Sequence, residues 1–332
     1  MSEAVLVTGA NGFVAGWCIV ELLRRGYRVR ATVRSAGKEA PVFDAIRRAG
    51  ADTGELSLHV AELLLDEGWD EAMAGCEAVL HVASPMGGDD PELLIAAARD
   101  GAVRVIRAAQ RAGVGRVVMT SSLAAASPED PEGLADEAVW TDPGRPELNA
   151  YRRSKILAEQ AAWQQIAQSE GTTLTTLLPG AIFGPVMRPD QTGSIEVIAR
   201  MLAGRPPGLP RIVLSITDVR DLAAMHVQAL ITPEAAGERF IVVGERVWMA
   251  EAAEILRSAL GNRAPKIPRR VLPDGLVRVA SWFLPPLRQL VPMLGRSPRY
   301  ASEKAVRTLG YSPRPAAETL VDCAESLLAR EP

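Results

Sequence analysis

The chain has 332 residues, is 48% hydrophobic and carries a formal net charge of -3, enough apolar material for a large core in two lobes and no electrostatic basis for binding nucleic acid. Its three cysteines (Cys18, Cys76, Cys323) and three histidines (His59, His81, His226) are scattered, which offers neither a disulfide framework nor metal-ligand spacing. The apolar stretch 271–294 is interrupted by Asp274, Arg278, Pro285, Pro286, Arg288 and Pro292, so no membrane span is expected.

The amino end runs almost at once into Ala4 to Val7, a short apolar strand. That leaves no room for a leader and points to the cytoplasm. Thr8-Gly9-Ala10-Asn11-Gly12-Phe13-Val14-Ala15-Gly16 follows, then helical spacing through Ile19, Val20, Leu22 and Leu23 to Gly26. In a strand, glycine turn and helix the backbone can bend round a pyrophosphate resting on the helix amino terminus. Dinucleotide binding is expected, although the spacing Gly9-x-x-Gly12-x-x-Ala15 is not the commonest fingerprint. The next strand, Tyr27 to Val33, ends on Arg34. A site selective for NAD places an acid here for the ribose hydroxyls. Between Tyr27 and Lys38 there is none, and Arg28, Arg30, Arg34 and Lys38 stand instead. A basic fork pairs with a 2'-phosphate that an acid would repel, so NADP is expected over NAD.

Strands are expected at Leu56 to Val60, Ala78 to Val82 and Arg116 to Thr120, with a helix from Pro91 to Ala112 stopping at Gly113. The alternation predicts an α/β fold with a parallel, doubly wound sheet whose ligands lie beyond the strand carboxyl ends. His81-Val82-Ala83-Ser84-Pro85 and Thr120-Ser121-Ser122 occupy such ends. A serine there can donate to a carbonyl oxygen on which charge develops, but strand parity does not choose between Ser121 and Ser122. Residues 128–146 are acidic and proline-rich, the mark of an exposed loop.

Asn149-Ala150-Tyr151-Arg152-Arg153-Ser154-Lys155 opens a run of helical spacing. Residues four apart share a helix face, which sets the Tyr151 phenol beside the Lys155 ammonium. A nearby cation lowers a phenol's pKa, and the pair reads as a general acid with its activator. Only four of the chain's 37 basic residues are lysine, a compact point charge that arginine does not replace.

Thr172 to Leu178 is a further strand, stopped by Pro179-Gly180. Regular alternation ends near Gly184, where a second lobe is expected to begin. Arg211 to Ile216 and Arg239 to Val243 read as strands around a helix from Asp221 to Leu230, and the tail 301–329 is amphipathic. The expected division is a cofactor lobe of residues 1–183, with 211–243 returning to it, and a substrate lobe of 184–210 and 244–332.

These motifs together resemble the extended short-chain dehydrogenase/reductases, in the branch of dihydroflavonol reductases, cinnamoyl-CoA reductases and microbial aldehyde or ketone reductases. The likeness rests on residues 7–13, 29–34 and 81–85, Thr120-Ser121-Ser122, Tyr151-x-x-Ser154-Lys155, Pro179-Gly180-x-x-x-Gly184-Pro185 and Asp218-Val219-Arg220-Asp221. It implies a Rossmann sheet with a smaller, mostly C-terminal α/β substrate lobe, and NADP(H) as cofactor. It also implies catalysis by Ser122, Tyr151 and Lys155, with Tyr151 protonating a carbonyl oxygen held by Ser122. Cofactor contacts follow at Gly9, Asn11, Gly12, Phe13, Val14, Arg34, Lys38, Glu62, Leu63, Val82, Ala83, Ser84, Thr120, Tyr151, Lys155, Pro179, Gly180 and Ile182.

Two positions depart from the relatives: Glu62 stands where many have Asp against adenine, and Arg104 where they often have Asn. A small carbonyl compound is the implied partner, no metal is implied, and relatives are monomers or homodimers. The substrate wall is expected to be apolar, from Ile182, Phe183, Met187, Ile195, Met201, Trp282 and Phe283. The rival readings are a nucleotide-sugar epimerase or dehydratase, a hydroxysteroid-type dehydrogenase, and a non-catalytic NADP sensor.

Overall fold

Near-continuous apolar segments make strands that need cover on both faces, and the fold supplies it. The structure, a computed structural model, describes residues 3–37, 39–85, 90–168, 170–205 and 207–329. The strands are β1 (Ala4–Val7), β2 (Arg28–Val33), β3 (Leu56–Val60), β4 (Ala78–His81), β5 (Arg116–Thr120), β6 (Leu134–Ala135), β7 (Thr173–Pro179), β8 (Ala181–Phe183), β9 (Val213–Asp218), β10 (Arg239–Val242), β11 (Arg246–Trp248) and β12 (Arg299–Tyr300). The helices are α1 (Phe13–Arg24), α2 (Glu39–Arg48), α3 (Trp69–Met73), α4 (Pro91–Arg111), α5 (Ala150–Ile166), α6 (Ile195–Leu202), α7 (Val219–Ile231), α8 (Met249–Leu260), α9 (Asp274–Phe283), α10 (Pro285–Arg288), α11 (Glu303–Leu309) and α12 (Ala316–Leu328).

Seven strands form one parallel sheet in the order β10-β7-β5-β4-β1-β2-β3. Alternate side chains of each strand face opposite sides. Val5, Val7, Val29 and Ala31 pack under α1, α2 and α7, whereas Ala4, Leu6, Val79 and Val117 pack under α3, α4 and α5. The chain winds outward from β1 through β2 to β3, then restarts on the other side of β1 with β4. A crevice opens at this reversal, beyond the strand carboxyl ends.

A three-stranded sheet, β11-β9-β8, builds the second core with α6, α8, α9 and α12. Pro179-Gly180 is the crossing point: β7 ends in the large sheet and β8 begins in the small one. A Cβ on Gly180 would stand 2.2 Å from the Ser215 carbonyl oxygen, so only glycine permits this approach. Segment 211–243 is therefore divided between the sheets. β10 pairs with β7 in the large sheet and α7 packs on α1, but β9 lies between β8 and β11 in the small sheet.

The amphipathic tail breaks into α11 and α12 around Pro313 and Pro315, and α12 covers α6 and α8. The Asp218 carboxylate anchors it, accepting from the Arg220 N–H and the Thr319 hydroxyl. No helix among the described residues is long and apolar enough to cross a membrane.

Candidate active site

Three strand ends meet at the glycine turn. Gly9 has φ 77° and donates its N–H to Thr32 Oγ1 at 2.9 Å, while the Ala10 N–H reaches the Thr32 carbonyl at 2.8 Å. A Cβ on Gly9 would lie 3.0 Å from that of Ala83, so the turn can nest against the end of β4 only as glycine. Thr8 Oγ1 accepts from the N–H groups of Val82 and Ala83 at 3.0 and 2.9 Å. Having accepted twice, it donates its proton to His81 Nδ1 at 3.0 Å. That leaves His81 the Nε2–H tautomer, and burial, with the Lys155 charge behind it, lowers its pKa to about 3. This lock fixes the approach of Val82, Ala83 and Ser84 to the crevice.

Above the turn, α1 starts at Gly12 with no capping side chain and no acid in its first turn. Its amino-terminal N–H groups are thus open to an anion. Phe13 is buried in the second core, and half-buried Val14 touches both cores. Arg188, paired with Asp190, donates to the Asn11 side-chain oxygen at 2.7 Å, and Gln191 Nε2 reaches the Gly12 carbonyl at 3.4 Å. This clasp from the second lobe had no sequence signal, because Arg188 lies in a loop far from Asn11 along the chain.

At the end of β2, Arg34 is exposed and has no ion-pair partner among the described residues. Arg30 is engaged differently, donating to the carbonyls of Glu71 and Ala72 at 2.7 and 3.0 Å. Lys38 lies outside the described residues. Glu62 is half-buried, and its carbonyl accepts from Trp69 Nε1 at 3.0 Å. Half-buried Leu63 packs under α3 and α4, and Arg104 bonds both its carbonyl and the Asp66 carboxylate. Arg104 thus pins the turn after β3.

The serine ambiguity is resolved by a buried acid. The Ser121 hydroxyl donates to Glu159 Oε2 at 2.5 Å, deep in the protein, whereas Ser122 lines the cavity at the carboxyl end of the sheet. The Thr120 side chain, expected at the cofactor, is committed elsewhere. His226 Nδ1 donates to the Leu222 carbonyl at 2.8 Å, so its Nε2 accepts the Thr120 hydroxyl at 2.7 Å. Pro179 and Gly180 line the cavity. Ile182 is half-buried and donates its N–H to Ser194 Oγ at 3.2 Å.

Asn149 caps α5, accepting from the Arg152 N–H at 2.9 Å. Tyr151 then joins Ser122 on the cavity wall, and Lys155 is buried one turn further with Nζ 5.9 Å from the Tyr151 ring centroid. The sequence led us to expect a phenol whose pKa is lowered. In the chain alone, burial pushes it above its usual value. Tyr151 keeps 38% of its surface exposed, but that surface opens into a space walled by protein, which solvates phenolate poorly.

Burial also lowers Lys155, to about 8. An unfolded lysine holds its proton to about pH 10.4, so between these values folding expels a proton and stability rises with pH. Relative to Lys155→Met, the cofactor-free wild type should gain roughly 3 kcal/mol across that window. Urea midpoints read this difference, and parallel pH curves for the two proteins would rule it out.

The cavity encloses about 320 Å³. The expected apolar wall does not form it. Phe183, Ile195 and Met201 are consumed by the second core, and Met187 packs toward Gly16. Trp282 and Phe283 are 71% and 77% exposed on α9. Leu123, Leu148, Ile212, Leu214 and Met293 line the cavity instead, along with Arg145, Arg152 and Arg296. Segment 128–146 is also more than an exposed loop. Pro128 and Arg145 form cavity wall, and Arg239 donates to the carbonyls of Glu137 and Val139 at 2.6 and 2.8 Å. Among the described residues no group of three or more His, Cys, Asp or Glu could hold a metal ion.

Residues 5–244 match the NAD dependent epimerase/dehydratase family. Cinnamoyl-CoA reductase 1 of Petunia hybrida is 37% identical over 259 residues, covering 76% of each chain. Cinnamoyl-CoA reductase 2 of Arabidopsis thaliana is 38% identical over the same length, again with 76% of each covered. Among solved structures, yeast methylglyoxal/isovaleraldehyde reductase Gre2 complexed with NADPH superposes with a TM-score of 0.83, at 26% identity and 98% coverage of both chains. The matched span holds the glycine turn, the switch-point crevice and the Tyr151–Lys155 helix, and the chain belongs to the NAD dependent epimerase/dehydratase family, the extended short-chain dehydrogenase/reductases.

Proposed function

We propose that this chain is an NADPH-dependent carbonyl reductase that converts an aldehyde or ketone to an alcohol. The observation that supports it is that Ser122, Tyr151 and Pro179 line one cavity, with Lys155 buried one helical turn from Tyr151. The crevice suits the cofactor. The Gly9 cradle has no room for a side chain, α1 presents uncapped N–H groups, and Arg34 stands exposed with no ion-pair partner among the described residues. These residues would take the cofactor's pyrophosphate and its 2'-phosphate. A reduced nicotinamide supplies the hydride chemistry when bound.

The chain's own residues supply orientation and the proton. The Ser122 hydroxyl donates to the substrate oxygen and steadies its growing negative charge. Tyr151 gives that oxygen a proton. Burial pushes the phenol pKa up in the chain alone, so the hydroxyl keeps its proton at neutral pH. Lys155 offers a positive charge to the phenolate left behind. In this reading residues 1–183 with β10 hold the cofactor, while residues 212–215 and 289–300 close the substrate cavity over the wall formed by 122–152 and 179–181.

The test is NADPH consumption, followed by absorbance, over a panel of aldehydes and ketones. Conversion of a nucleotide sugar with no net NADPH use, and no carbonyl turnover, would replace this reading with an epimerase. Arg34→Ser should reduce the NADPH-over-NADH ratio of kcat/KM by about 10- to 100-fold, the value of charge-assisted bonds to phosphate. An unchanged ratio would mean that another group reads the 2'-phosphate.

A further inference from the structure

The substrate cavity is more basic than a plain alkyl or aryl ketone requires. Its charged wall residues are Arg145, Arg152, Arg296 and Glu147. Arg145 and Glu147 neutralise each other, with Nε and Nη2 at 2.7 and 2.5 Å from Oε1. The Arg296 guanidinium donates to the carbonyls of Pro128 and Glu129, at 3.3 and 3.0 Å. Arg152 Nη2 donates to the Ser127 hydroxyl at 2.8 Å, and that hydroxyl donates onward to the Leu123 carbonyl. Among the described residues neither Arg152 nor Arg296 has a carboxylate within 4.0 Å.

The Nε of Arg152 is shut off from solvent and has no hydrogen-bond partner among the described residues. An unpaired donor on a desolvated cation is costly. Arg152 also stands in the first turn of α5, which contains no acid, where the helix dipole opposes a cation. Burial lowers its pKa, and the neighbouring Arg145 and Arg296 add to this against Tyr300 and Glu147. Two penalties with no carboxylate ion-paired to Arg152 among the described residues mark a group set for an external anion.

We propose that Arg152, with Arg296, forms an anion subsite in the substrate cavity, and that the preferred substrates are aldehydes or ketones bearing a carboxylate. This rests on the reductase reading. A carboxylate in the cavity can accept from the guanidinium Nη groups of Arg152 and Arg296. The volume of about 320 Å³ is small for a ligand site and suits a compact acid, with Leu123, Leu148 and Leu214 flanking its carbon skeleton.

Aldehydes of similar size separate charge from shape: para-carboxybenzaldehyde, methyl para-formylbenzoate and para-formylphenyl phosphate. With NADPH, the wild type should favour the carboxylate over the ester by about tenfold or more in kcat/KM. Arg152→Met should bring that ratio near one, and Arg152→Lys should restore part of it. Arg153→Met should keep the wild-type ratio, since the Arg153 guanidinium donates to the Pro143 carbonyl at 3.0 Å and is not part of the cavity wall. A wild-type ratio at or below one, or a ratio unmoved by Arg152→Met, overturns the subsite. Preference for the phosphate over the carboxylate overturns the carboxylate assignment.

Calorimetry with para-(hydroxymethyl)benzoate reads the subsite without turnover. Tighter binding to wild type than to Arg152→Met supports it, and equal binding overturns it. If no carbonyl compound consumes NADPH the reductase reading fails, and this titration still decides on the anion.

Discussion

Tyr151→Phe is expected to lower kcat for carbonyl reduction by about 10²- to 10⁴-fold, the usual contribution of a positioned general acid. The phenol is the hydroxyl on the cavity wall beside Ser122 that stands over a buried amine. Its hydroxyl makes no hydrogen bond among the described residues, so deleting one oxygen breaks no internal contact. Thermal stability and NADPH affinity should therefore stay near wild type while turnover collapses. Stopped-flow single-turnover rates, alongside NADPH titration by fluorescence, separate the two effects. A variant that reduces carbonyls within tenfold of wild type would remove Tyr151 from the chemistry.

Arg239→Met should have the largest effect on folding. Glu159 is fully buried and Arg239 nearly so, with Nε 2.9 Å from Oε1. The carboxylate also accepts from Ser121, Thr176 and Trp163, while the guanidinium lies 3.7 Å from the Trp140 ring centroid and serves the carbonyls of Ala125, Glu137 and Val139. Removing the cation strands a desolvated carboxylate, a loss of about 3–5 kcal/mol. Urea denaturation reads it, and a loss below about 1 kcal/mol would class the pair with surface salt bridges. Combining Arg239→Met with Glu159→Gln should cost less than the two single changes summed, because the second removes the charge that the first left unpaired. Turnover should fall as well, since Glu159 holds Ser121 and the adjoining Ser122 depends on that placement.

Much of the site was legible in one dimension because its parts are local. The glycine turn sits between a strand and a helix, and Tyr151 and Lys155 are one turn apart on α5, a spacing that the helical period dictates. The missing acid after β2 could likewise be read directly. The apolar wall was misread because hydrophobicity predicts burial without naming the core that receives it. Phe183, Ile195 and Met201 went to the second core, and Trp282 and Phe283 to the surface. β9 was placed with the wrong sheet because alternation reports element type and not strand partners. The pairing of Tyr151 with Lys155 considers one neighbour, whereas burial, which no local pattern reports, pushes the phenol's pKa up in the chain alone.

Sequence by itself therefore determined the α/β class, the nucleotide cradle and the phenol–amine pair, all set by contacts within a few residues. Tertiary structure alone decided that Ser122 and not Ser121 faces the cavity, since the acid that claims Ser121 sits on α5 and its counter-ion on β10. It also decided that Arg152 and Arg296, which have no carboxylate within 4.0 Å among the described residues, line the cavity. Burial and pairing are properties of segments brought together from across the chain, and no local period encodes them.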